Sequence, residues 1–135
     1  MKVSPKALFW NIVAAVFVIP MLVRSCGPVE NRYATLDDVR QAGAMDRGWL
    51  PPVLPESAVD IREENDLDLN LGSGSFSFSP EELDGYLARL RDELQAITKV
   101  DSGQWNVSFS KGEFEWTMVL PADGRGAKYR VGPRR

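Results

Sequence analysis

The chain contains no histidine and one cysteine, Cys26. Without imidazole, the commonest general base, the usual zinc ligands and every Ser/His or Cys/His nucleophile pair are missing. A single cysteine excludes an intramolecular disulfide, so a folded domain must be held by packing. No phosphate-binding glycine loop, nucleophile elbow, metal-ligand cluster or internal repeat is legible. A conventional hydrolase is therefore not expected, and no catalytic, cofactor-binding or metal-binding residue is assigned.

Charge is also missing from one long stretch. Between Lys6 and Arg24 the run Ala7 to Val23, ALFWNIVAAVFVIPMLV, carries no ionisable group. As a helix it would be roughly 25 Å long, slightly short of the roughly 30 Å hydrocarbon core of a bilayer. Asn11 and Pro20 fall near its ends, where a polar or helix-breaking residue is cheapest, and Trp10 suits the interface. Lys2, Lys6 and the terminal amine precede the run and only Arg24 follows closely. That bias puts the N-terminus in the cytoplasm and the remainder outside. Val23, Arg24, Ser25, Cys26 and Gly27 resemble the lipobox of bacterial lipoproteins, in which the cysteine is lipidated. Arg24 departs from that pattern. Cys26 is thus a lipidation candidate, and the alternative is a retained signal anchor.

Acidic residues are absent before residue 30, whereas three of the 16 Lys and Arg lie there, so the remainder carries 13 cations against 19 anions, a net charge of −6. Nucleic acid is a poor partner for that balance. About a hundred residues behind the apolar run suffice for one domain with one modest core.

Taken in order, Gly27 to Tyr33 reads as a short tether. Thr35 and Asp38 suggest a capping box opening a helix over 36–45, which Gly48, Pro51 and Pro52 close. Trp49, Leu50, Val53 and Leu54 are too apolar for a solvated loop, while the prolines exclude a regular element, so the segment should press onto the core; a groove lined by Trp49 is the functional alternative. Ala58 to Glu64 reads as a strand with Val59 and Ile61 inward. Asp66, Asp68 and Asn70 have the spacing of the first calcium-loop ligands, but Leu71 and Ser77 stand where Gly and Glu are required. Leu67, Leu69 and Leu71 alternate with them, as in an amphipathic strand or extended loop.

Gly72 to Gly74 reads as a break and Ser75 to Phe78 as a short strand. Ser79, Pro80 and Glu82 open a helix whose apolar stripe is Leu83, Leu87, Leu90, Leu94 and Ile97. Then Trp105, Val107 and Phe109 alternate, Lys111 and Gly112 turn, and Phe114, Trp116 and Met118 alternate back, setting Phe109 opposite Phe114 and Val107 opposite Trp116. Ala127, Tyr129 and Val131 form a last strand whose other face, Lys128 and Arg130, suits an exposed edge.

Gly48 with Trp49, Leu54 with Pro55, Ser57 with Ala58, Asp60 with Ile61, and Asp66, Leu67, Asp68 with Asn70 together resemble a group of uncharacterised small bacterial envelope proteins with an N-terminal membrane segment. The resemblance implies localisation only, since the group carries no established activity.

The expected architecture is α+β: an N-terminal transmembrane helix or lipoprotein-type signal over residues 1–29, then one extracytoplasmic domain over 30–135, a small antiparallel sheet with helices packed on one face. The expected place is the bacterial inner membrane with the domain in the periplasm, or the outer membrane if Cys26 is lipidated. The expected role is a binding or accessory module with the membrane and another envelope protein as partners. Its candidate interaction surface is Trp49, Asp60, Glu63, Glu64, Asp66 and Asp68. The rival readings are a toxin immunity protein, whose acidic run would meet a basic toxin, and a carboxylate enzyme centred on Asp60 to Asp68.

Overall fold

The structure is a computed structural model that describes residues 27–135; the run Ala7 to Val23 and Cys26 lie outside the described residues. It corrects the expected architecture. The domain is dominated by one seven-stranded antiparallel sheet in the order β1-β2-β3-β7-β6-β5-β4, with few helical residues. The strands are β1 (Val29–Thr35), β2 (Val59–Asp66), β3 (Leu71–Ser77), β4 (Ile97–Asp101), β5 (Gln104–Lys111), β6 (Phe114–Pro121) and β7 (Ala127–Pro133). The α-helices are α1 (Leu36–Gln41) and α2 (Leu83–Leu94), with 3₁₀ turns at Ala44–Arg47 and Pro80–Glu82. Among the described residues no helix is long and apolar enough to cross a membrane.

One face of the sheet is covered and the other is wet. Pairing register places Asn31, Glu63, Gly74, Tyr129, Met118 and Val107 in one row across the covered face. The next row is Val29, Asn65, Gly72, Val131, Trp116 and Phe109. The cover comes from α2 through Leu83, Tyr86, Leu87 and Leu90, from α1 through Leu36 and Val39, and from the proline-rich segment through Leu50, Val53 and Leu54, all in one core. The Tyr86 hydroxyl ties two of these covers together by donating to the Val53 carbonyl at 2.9 Å. Burial raises the Tyr86 phenol well above its ordinary range. The proline-rich segment does press onto the core as its composition requires.

Several local expectations change. The presumed tether is strand β1, pairing residue by residue with β2. Thr35 and Asp38 form the capping box, but α1 stops at Gln41. Val59 is exposed because Asp60, at φ 50, bulges the strand between Val59 and Arg62, so only Ile61 turns inward. A bulge inserts one residue and moves the flanking side chain to the other face. Gly72 and Gly74 are not a break; they sit within β3 where larger neighbours need the room. A Cβ on Gly74 would lie 2.0 Å from the Arg62 carbonyl oxygen and 2.5 Å from the Tyr129 hydroxyl.

Ser79 makes no side-chain cap, and the helix ends at Gln95 in the left-handed region, so Ile97 leaves the apolar stripe and starts β4 as an exposed residue. In the β5–β6 hairpin, Phe109 pairs with Trp116 and Val107 with Met118, around Gly112 and Glu113. The offset from the expected pairing is two residues, which preserves which side chains share a face. Gly112 has φ 62 and takes the first turn position, where a type II′ turn needs glycine. Finally, β7 lies between β3 and β6, so Lys128 and Arg130 project from the wet face of a central strand and mark no edge.

Candidate functional site

The covered face carries polar residues where β1, β2 and β7 converge. Glu63 is 0% exposed and Asn65 5% exposed, the only buried polar or charged side chains among the described residues. Both follow Ile61 at two-residue spacing and so share its inward face. The Asn65 side-chain amide donates to Glu63 Oε1 at 2.7 Å, and the Asn31 amide donates to the same oxygen at 3.4 Å. Glu63 Oε2 and Asn65 Oδ1 have no hydrogen-bond partner. An unpaired buried acceptor costs about 1 to 3 kcal/mol, and more when charged.

The neighbouring Tyr129 hydroxyl points to the Arg62 carbonyl at 3.4 Å, occupying the room that Gly74 leaves. Burial, then the Glu63 carboxylate and then Tyr33, push the Tyr129 phenol far above its ordinary range, so it is a neutral donor.

Trp49 links this polar pair to the surface. A Cβ on Gly72 would lie 2.9 Å from Trp49 Cε3 and 3.4 Å from Asn65 Oδ1, so the absence of a side chain at residue 72 lets the indole settle beside Asn65. Trp49 also lines an open cleft of about 260 Å³ with Met45, Leu50, Pro52, Phe114 and Trp116, and with Arg47 and Lys111. The 3₁₀ turn at Ala44–Arg47 and Gly48, at φ 78, bring Arg47 and Trp49 to one wall. The β5–β6 hairpin builds the other, where Trp116 stacks on Phe109 at 5.9 Å with 6° between ring planes.

The Arg47 guanidinium donates to the Tyr33 hydroxyl. Neither Arg47 nor Lys111 has an anionic partner among the described residues. The cleft therefore combines an aromatic floor with two cations, which suits an apolar group flanked by a carboxylate. Its volume falls below the roughly 300 to 1,000 Å³ usual for small-molecule sites, which fits a side chain better than a whole cofactor.

A second polar arrangement is internal. The Glu82 carboxylate accepts from the Glu56 N–H at 2.7 Å, from the Ser57 N–H at 3.0 Å and from the Ser57 hydroxyl. Burial works to raise Glu82, but these donors, with Arg89 nearby, outweigh it and hold the carboxyl below its ordinary range. It clamps the end of the proline-rich segment to the start of α2.

Of the residues expected to form one surface, Trp49 stands at the cleft and Glu63 is buried, held by Asn65. Glu64 and Asp66 project from β2 away from Glu63. Asp60 lies at the bulge near the opposite end of β2, and Asp68 sits in the turn beyond Asp66. The acidic run is thus divided among both sheet faces and a hairpin tip. The cations of the cleft were missed, because Arg47 and Lys111 are far apart in sequence and each reads alone as a solvated charge. Asp66 Oδ1 accepts from the Asp68 and Leu69 N–H groups at 3.1 Å each, which gives this aspartate a turn-forming role.

No curated protein and no solved structure matches the chain. Residues 27–77, which run from β1 through β3 and include Trp49, Glu63 and Asn65, are similar to the YbbD head domain.

Proposed function

We propose that the protein is a membrane-anchored, extracytoplasmic binding module, and that its recognition site is the cleft between Trp49 and the β5–β6 hairpin. The observation that carries this reading is the pairing of an aromatic floor with two cations, Arg47 and Lys111, that lack an anionic partner among the described residues. Buried aromatic anchors beside charged rims are what concentrate binding energy at protein interfaces. The occupant is a segment of another envelope protein offering an apolar side chain next to a carboxylate. The uncharged N-terminal run and the pattern from Gly48 to Asn70 support the envelope placement.

The test is a pulldown of tagged full-length protein from solubilised membranes, beside the Arg47→Glu/Lys111→Glu variant. The expected result is a co-purifying envelope protein that the charge-reversed variant loses while its own yield and melting temperature hold. Equal recovery of the partner by both proteins overturns the assignment of the cleft.

A further inference from the structure

The β2–β3 hairpin ends in a tip that no fold requirement explains. Leu67 is 66% exposed and Leu69 63% exposed, with Leu71 and Val29 also exposed beside them. Leu67, Leu69 and Leu71 follow one another along the hairpin tip, with Leu71 on the wet face and Val29 on the covered face of the same end, so the exposed apolar groups wrap the end of the sheet. The turn beneath them is built, since Asp66 accepts two backbone N–H groups and Asn70, at φ 53, takes the left-handed position. The leucines are thus presented on a shaped loop.

Topology fixes what lies next to this tip. Val29 pairs with Asn65, and Asp66 pairs with Leu71, so the chain enters the sheet at the hairpin end, one residue short of the turn. The uncharged run ends at Val23, six residues before Val29. Fully extended, six residues span at most about 22 Å. Whatever holds the run also holds the tip close.

The same end carries cations. Lys111 pairs with Phe114 and Phe114 with Pro133, which sets the β5–β6 turn and the C-terminal Arg134 and Arg135 at this end of the sheet. The anions here are Asp66, Asp68 and Glu113, with Glu64 and Glu30 one pair further in; one Asp66 oxygen is engaged by the turn and Glu30 by Arg32. The cations suit anionic headgroups, at about 1 kcal/mol each near a charged surface.

We propose that the Leu67–Leu71 tip, with Val29, docks on the bilayer surface and stands the sheet end-on against the membrane. The occupant is the headgroup and upper acyl region of the bilayer, identified by the exposed leucines of the tip and the short reach from the uncharged run. This proposal rests on the membrane-anchored reading above. The recognition cleft lies toward the same end, through Lys111 and Phe114, so docking would fix its height above the membrane.

The test uses full-length protein in vesicles of phosphatidylcholine and phosphatidylglycerol in equal parts. In a Cys26→Ser background, single cysteines are introduced as Leu69→Cys, Ser102→Cys or Ala15→Cys and labelled with an environment-sensitive fluorophore. Ser102 follows β4 at the opposite end of the sheet. The expected result is a blue-shifted emission at residue 69 that headgroup-region nitroxide lipids quench, with aqueous emission at residue 102. Aqueous emission at residue 69 with embedded emission at residue 15 overturns the docking while the anchor stands. Aqueous emission at both residues 69 and 15 overturns the anchored reading itself. Embedded emission at residue 102 as well as residue 69 overturns the end-on placement.

Discussion

Glu63 is where single-residue chemistry matters most. Its carboxylate is enclosed with two amide donors, both on one oxygen, and nothing on the other. A buried acceptor without a donor is costly, and replacing the carboxyl with the isosteric amide removes one such acceptor while retaining the other oxygen. Glu63→Gln should therefore stabilise the domain by about 1 to 3 kcal/mol, because it keeps the oxygen that accepts from Asn65 and Asn31 and removes the unpaired acceptor Oε2. Thermal melts check this; a lowered melting temperature would show that both carboxyl oxygens of Glu63 are needed.

The Glu82 clamp gives a pH dependence. A carboxyl held below its ordinary range in the folded state contributes stability that is complete above its unfolded pKa, about 4.3, and is lost as pH falls through the folded value. The melting temperature of wild type should exceed that of Glu82→Gln at neutral pH, and the gap should close on acidification below about pH 4. A gap that widens in acid would contradict the hydrogen-bond assignment. Gly74→Ala should destabilise the fold strongly, since the Cβ would meet the Arg62 carbonyl backbone, which cannot swing aside as a side chain can.

At the scale of elements, the β5–β6 hairpin and α2 hold the core. Trp116 contacts Phe109 at 5.9 Å and Tyr129 at 6.1 Å between ring centroids, and its side of the strand is buried while Glu115 is exposed. Trp116→Ala should cost about 3 to 5 kcal/mol, against the roughly 5 to 15 kcal/mol that stabilises a domain. Glu115→Ala should change little. Circular dichroism melts of the two variants in EDTA decide the matter, and equal losses would mean the strand faces are misassigned.

Elements with strong periodicity were legible: the hairpin faces, the Leu stripe of α2, the inward row of Ala127, Tyr129 and Val131, and the capping box at Thr35. Elements whose inward positions are polar or missing were not. The inward residues of β1 include Asn31, opposite Glu63, so no alternation of apolar residues betrays the strand. Glycines filled the inward positions of β3 because Trp49, Val131 and Tyr129 occupy that space, and this cannot be known before the partners are placed. Ile97 continued the helical spacing of the stripe, and only the left-handed Gln95 breaks the register. The bulge at Asp60 turned Val59 outward, whereas Glu63 is buried by simple alternation with Ile61 in a run of acidic residues that reads as a solvated face.

Among the described residues, the sheet has one covered and one wet face, and β1 and β4 are its edge strands. The cleft was half legible, since Trp49 stood out as an apolar residue in a proline-rich segment, whereas its opposite wall depends on a hairpin more than sixty residues away in the chain. The central claim is that this sheet is displayed outward on a membrane segment as a binding domain. The most direct measurement is labelling of Ser102→Cys, in a Cys26→Ser background, by a membrane-impermeant maleimide on spheroplasts. The account predicts that residue 102 labels in intact spheroplasts as fully as after lysis, while the protein sediments with membranes. Labelling that requires lysis would place the domain in the cytoplasm and contradict it.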